Sequence, residues 1–166
     1  GVTTGHSTET LHQLADHFVH QREHSDPATM MDTLAAHQLP RHATPVIFSD
    51  CLQTPATLGE QLDTLTARMG AGLLVQVLDP AEMDLPYRGR IVFKSPAADT
   101  QTAFHVPEAE EIAHQYRERI TEHCRTVGES ANTRGWLYLR LRTDMDPAQA
   151  LTNIWGEIDI RREATN

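Results

Sequence analysis

Three groups of side chains in this 166-residue sequence have types and spacings that could do chemistry. His20-Gln21-Arg22-Glu23-His24 is an H-x-x-E-H run. Histidines four residues apart share a helix face, so they could hold one Zn²⁺ with Glu23 as the general base of a hydrolase. Its setting argues against this: the run ends a helix directly before Ser25-Asp26-Pro27, and with ten histidines in the chain chance pairs are expected. His17, His20 and His24 also form a stripe that a transition metal could bind adventitiously, but a solvated polar helix face explains it more simply. The second group is Asp50, Asp79 and Asp144, each just after a short apolar run. The third is Cys51, beside Asp50. Nucleophiles do occur at strand ends, but an adjacent carboxylate raises a thiol's pKa where catalysis needs it lowered. Cys124 reads as core packing. Met69-Gly70-Ala71-Gly72 precedes an apolar run instead of following one, so it reads as a turn and not a phosphate loop.

The elements that must position these groups follow from periodicity. Leu11, Leu14, Ala15 and Phe18 recur at helical spacing, and Ser25-Asp26-Pro27 opens a second helix carrying Met30, Met31, Leu34 and Ala35 up to Leu39-Pro40. Pro45 to Phe48 is a short apolar run ending at Ser49-Asp50. Thr54-Pro55 opens a helix with Leu58, Leu62, Leu65 and Met69 on one face and Gly70 at its end. Leu73 to Leu78 is a second buried strand, stopped by Asp79-Pro80. Continuous apolar runs alternating with amphipathic helices predict parallel strands covered on both faces. Residues 88–106 break the rhythm, with Ile91-Val92-Phe93 and Thr102 to Val106 predicting a β-hairpin. A long helix then runs from Pro107 to about Val127, with Ile112, Tyr116, Ile120 and Cys124 turned inward. Trp136 to Leu141 is the third core strand. Asp146-Pro147 opens a last helix carrying Ala150, Leu151, Ile154 and Trp155.

Parallel strands all end at one edge, and ligands of open α/β sheets bind beyond it. Asp50, Asp79 and Asp144 are therefore expected there. The plainer role for Asp79 and Asp144 is capping the helix that follows.

Composition narrows the partners. Acidic residues outnumber basic ones, 23 against 14, for a net charge of −9, which disfavours nucleic acid because phosphate neutralisation needs clustered cations. No apolar run reaches the ~20 residues of a membrane span, no signal peptide opens the sequence, and two cysteines suit a reducing compartment. The expectation is a soluble cytoplasmic domain.

The stretches Val46-Ile47-Phe48-Ser49-Asp50 and Val75 to Pro86 (VQVLDPAEMDLP), with Tyr116 to Arg119 and Leu141 to Asp144 downstream, carry a family resemblance. The chain resembles the carboxyl-terminal half of the von Willebrand factor A-like domain of bacterial domain-of-unknown-function family 58, over roughly Pro27 to Trp155. The resemblance implies a Rossmann-like parallel sheet flanked by helices, with residues 1–166 as a single partial domain and residues 88–106 as a hairpin insertion. It implies a non-enzymatic interaction domain, partnered by a MoxR-type AAA+ ATPase and in many members preceded by membrane helices. It also implies Mg²⁺ at an adhesion-type site, where Asp50 and Ser25 match two ligand positions. The family's Asp-x-Ser-x-Ser motif does not occur in this sequence. The competing class is the zinc-dependent hydrolase built on His20, Glu23 and His24.

The family's first strand would lie beside Val46–Ser49, and residues 1–39 contain no β-branched apolar run to supply it. The expectation is an uncovered apolar edge at that strand, completed by an upstream segment or by self-association.

Overall fold

The computed structural model describes residues 44–94 and 103–165. Ser25, the H-x-x-E-H run and the two helices expected upstream lie outside the described residues. The elements are β1 (Val46–Ser49), α1 (Pro55–Met69), β2 (Leu73–Leu78), α2 (Pro80–Asp84), β3 (Ile91–Lys94), β4 (Ala103–Val106), α3 (Ala109–Asn132), β5 (Leu137–Arg142) and α4 (Pro147–Thr165).

β1, β2 and β5 form a parallel sheet in the order β1-β2-β5, and β3 and β4 form a separate antiparallel ribbon. The fold is thus a Rossmann-like α/β arrangement, a three-stranded parallel sheet flanked by helices. Strand alternation sorts the side chains of β2 between its two faces. Leu73 and Val75, with Val77 at the margin, join Leu141, Ile154 and Ile158 in the core between sheet and α4. Leu74, Gln76 and Leu78 face the opposite way. On that side α1 packs against α3 and α3 against β5. Both faces of β2 are covered, which is why its sequence is an almost unbroken apolar run.

Local signals set the helix boundaries. Thr54 caps α1, its hydroxyl accepting the Thr57 N–H at 3.2 Å, and Pro55 pre-sets the first turn. Leu58, Leu62 and Leu65 are buried along one face, and each such burial stabilises the fold by roughly 1.5–3 kcal/mol. Gly70 stops α1 with φ at 81°, a left-handed value that favours glycine. Two residues on, Gly72 passes so close to the chain entering β1 that a Cβ there would sit 2.0 Å from the Pro45 carbonyl oxygen. The parallel pairing of β1 with β2 starts at this contact, where the Leu73 N–H donates to the Pro45 carbonyl at 2.9 Å.

Helix α3 runs to Asn132, beyond the Val127 expected from the sequence. Gly128, one residue past that point, lets the helix pack closely. A Cβ on it would lie 2.9 Å from the Tyr138 ring, and the buried stripe continues through Val127, Gly128 and Ala131. Trp136 lies just before β5, buried, its indole N–H donating to the Thr66 hydroxyl at 2.8 Å.

Among the described residues β1 has β2 as its one strand neighbour. Phe48 is 51% exposed there, whereas Val46 and Ile47 are half-buried.

Candidate functional site

All three parallel strands deliver their carboxyl ends to one edge. The Thr143 N–H donates to the Leu78 carbonyl at 3.1 Å, so the β2 and β5 exits stay side by side. Asp79 caps α2 in a reciprocal box: its Oδ1 accepts the Ala81 N–H at 2.8 Å, and the Glu82 carboxylate accepts the Asp79 N–H at 2.8 Å. Its Oδ2 accepts the Thr143 hydroxyl at 2.7 Å. The Thr143 hydroxyl, and next the Ala81 N–H, hold the Asp79 carboxyl below the ordinary carboxylate range.

The capping role expected of Asp79 is what the structure has; that expected of Asp144 is not. Helix α4 starts at Pro147, so the residue that meets its first turn is Asp146, whose carboxylate accepts the Gln149 N–H at 3.0 Å. Asp144 instead pairs with the Arg142 guanidinium through two bonds of 2.9 and 2.8 Å, and that guanidinium lowers its pKa.

Asp50 is exposed. Its Oδ1 accepts the Leu52 N–H at 3.2 Å, a local turn closed by the side chain. The backbone beneath is unusual. Cys51 is fully buried yet has φ at 55°, the left-handed region that a residue with a Cβ seldom enters. Side chains hold it there. The Cys51 N–H donates to the Ser49 hydroxyl at 3.0 Å. The Gln76 amide donates to the Asp50 carbonyl at 3.0 Å. The His123 Nε2 lies 2.7 Å from the Cys51 carbonyl, which can only accept, so that nitrogen carries the proton. Gln76 is wholly buried, and its carbonyl end accepts the Tyr138 hydroxyl. Sequence reasoning missed Gln76, Tyr138 and His123. The available signal was Gln76 itself, the one polar residue inside Leu73-Leu74-Val75-Gln76-Val77-Leu78.

Burial pushes the Cys51 thiol up to about 11; the Ser49 bond offsets this in part and the Asp50 charge adds to it. The group is a protonated, packed thiol at neutral pH, the opposite of an activated nucleophile.

The β3–β4 ribbon follows α2. Its foot is fastened to the start of α3. The Ala109 N–H donates to the Gly89 carbonyl at 2.9 Å, and the Glu110 carboxylate accepts the Gly89 N–H at 2.9 and 3.0 Å. Register sets Ile91 opposite Val106 and Phe93 opposite Phe104. Val106 is buried at the foot, whereas Phe93 and Phe104 are 41% and 67% exposed farther out. The next turns of α3 hold α2: the Tyr116 hydroxyl donates to the Glu82 carbonyl at 2.6 Å, and Arg117 donates to the Asp84 carbonyl at 3.3 Å.

Of the two residues expected to hold Mg²⁺, Asp50 is described and Ser25 is not. Among the described residues no three His, Cys, Asp or Glu side chains gather where a metal ion could sit.

Fold and site together define an open α/β domain with carboxylates along the carboxyl edge of its parallel sheet. A family model with the description "protein of unknown function DUF58" matches residues 2–126, and the chain belongs to that family. No curated protein and no solved structure matches it. No helix among the described residues is long and apolar enough to cross a membrane.

Proposed function

We propose that this domain is a protein-docking module that works with a MoxR-type AAA+ ATPase, its sheet being the second half of a von Willebrand A-like domain. The reading rests above all on the Asp50 turn. An exposed carboxylate is presented on backbone that the buried Gln76 and the half-buried His123 clamp, so little ordering entropy is lost when a partner cation engages it. The exposed Phe93–Phe104 pair of the ribbon, whose foot is bonded to the same helix α3, supplies apolar contact area of the kind that anchors interfaces. The family resemblance, which implies an AAA+ partner, supports the choice of ATPase. The Mg²⁺ ligation expected of Asp50 is the finer form of this proposal, with the partner or upstream residues completing the coordination shell.

Titrating the full chain against its MoxR-type ATPase by interferometry tests the reading. Asp50→Ala should weaken binding at least about tenfold while leaving stability within about 1 kcal/mol, as for exposed substitutions generally. Equal binding by wild type and variant, or no binding by either, overturns it.

A further inference from the structure

A turn that leaves a parallel strand normally exposes its carbonyls to water or gives them to backbone donors. The turn after β1 does neither. Its two successive carbonyls, of Asp50 and Cys51, are taken by side chains from two different elements, Gln76 of β2 and His123 of α3. Gln76 is in turn fixed by the Tyr138 hydroxyl of β5. The clamp therefore draws on β2, β5 and α3, and it holds Cys51 in a left-handed conformation its Cβ disfavours. Such a conformation persists only where the surroundings over-determine it. Here they do so with four hydrogen bonds around two residues.

We infer that His123 and Gln76 are positioning residues: their bonds to the Cys51 and Asp50 carbonyls set the direction in which the Asp50 carboxylate faces a partner. Their place in the fold fits that role. Both bond main-chain carbonyls and leave the Asp50 carboxylate to the Leu52 N–H, which occupies one lone pair of Oδ1 only. His123 belongs to the same helix whose first turns hold the ribbon foot through Glu110 and α2 through Tyr116. The Asp50 turn, the Asp79 cap and the aromatic ribbon are thus registered to one rigid rod. A merely structural bond would protect the core; this one selects between a left-handed and an ordinary turn at the surface. The functional half of the inference rests on the docking reading of Asp50, whereas the geometric half does not.

The test uses the full chain and the pair His123→Leu and His123→Gln, since glutamine keeps an N–H donor at similar reach and leucine keeps only bulk. Residue-resolved hydrogen exchange reads the turn directly. His123→Leu should lower protection of the Cys51 and Leu52 amides about tenfold while Val75 and Leu139 in the sheet stay within about threefold. His123→Gln should restore the turn amides. Unchanged turn amides in His123→Leu, or a loss shared equally with Val75 and Leu139, overturns the positioning role. Gln76→Met gives a second route to the same readout through the other carbonyl, should the leucine variant fail to fold. Binding to the ATPase should fall in His123→Leu and return in His123→Gln. If the wild-type chain does not bind the ATPase at all, the docking reading falls, and the exchange data still decide whether His123 sets the turn.

Discussion

Gln76→Leu is the most informative single substitution for the buried network, because the side chain is wholly buried and both ends of its amide are used. Removing it orphans the Tyr138 hydroxyl and the Asp50 carbonyl, both half-buried, at about 2 kcal/mol each. Leucine offsets part of this, roughly 1.5 kcal/mol, by adding apolar burial and relieving the amide's own desolvation. The expected net loss is about 2.5 kcal/mol, or a fall of about 1 M in the urea midpoint for a slope near 2 kcal/mol/M. Tyr138→Phe alone should cost about 2 kcal/mol, since it leaves the buried Gln76 carbonyl without its donor. The double variant removes the Tyr138 orphan as well, so it should be only about 0.5 kcal/mol less stable than wild type. The two changes are then coupled by about 4 kcal/mol, above the roughly 3 kcal/mol usual for neighbouring residues because each single change strands the other's partner. Urea unfolding of the four proteins, followed by tryptophan fluorescence with slopes held equal, measures the cycle. A Gln76→Leu protein as stable as wild type, or additive losses, would refute the claim that this network holds the edge.

Other perturbations follow from the same geometry. Gly72→Ala should cost about 3 kcal/mol or more, because the new Cβ meets backbone at 2.0 Å and not a side chain that could move; a thermal shift under 2 °C would contradict the close approach. Thr143→Val should raise the Asp79 pKa towards its ordinary value, since the hydroxyl is the largest cause of its depression; NMR titration of the carboxyl carbon reads this. A depressed carboxyl pKa stabilises the fold above the ordinary carboxylate range and is lost as pH falls through the depressed value, so the wild type's advantage over Thr143→Val should shrink on acidification. Cys51 should resist Ellman's reagent at pH 7, with about one thiol in ten thousand ionised at a pKa of about 11. Rapid labelling of Cys51 in the folded chain would show that the turn opens.

The regular elements were legible because local chemistry writes them. Thr54-Pro55 and Gly70 bracket α1, and the apolar run of β2 announces a strand covered on both sides. What was not legible depends on partners far along the chain. The left-handed Cys51 needs His123, 72 residues away, and Gln76, 25 residues beyond Cys51 in β2. The expected end of α3 at about Val127 falls short because Gly128 continues the helix against the Tyr138 ring. Helix α4 illustrates a further limit. Ala150, Leu151, Ile154 and Trp155 form one apolar stripe in sequence, but a single stripe cannot all meet a flat sheet. Ala150 and Ile154 pack inward, and Leu151 and Trp155 stay 64% and 61% exposed. At the site, the sheet edge, Asp50 and the Asp146-Pro147 helix start could be read from the sequence, whereas Asp144 was expected to cap a helix and instead pairs with Arg142.

The docking claim is tested most directly by mapping contact on the chain itself. Cross-saturation NMR of the labelled full chain bound to its MoxR-type ATPase should attenuate the amides of Asp50, Cys51 and Leu52 first, then those of Asp79 to Glu82 and the outer ribbon around Phe93 and Phe104. Attenuation confined to the outer face of α4 around Leu151 and Trp155, with the carboxyl edge untouched, would contradict the account.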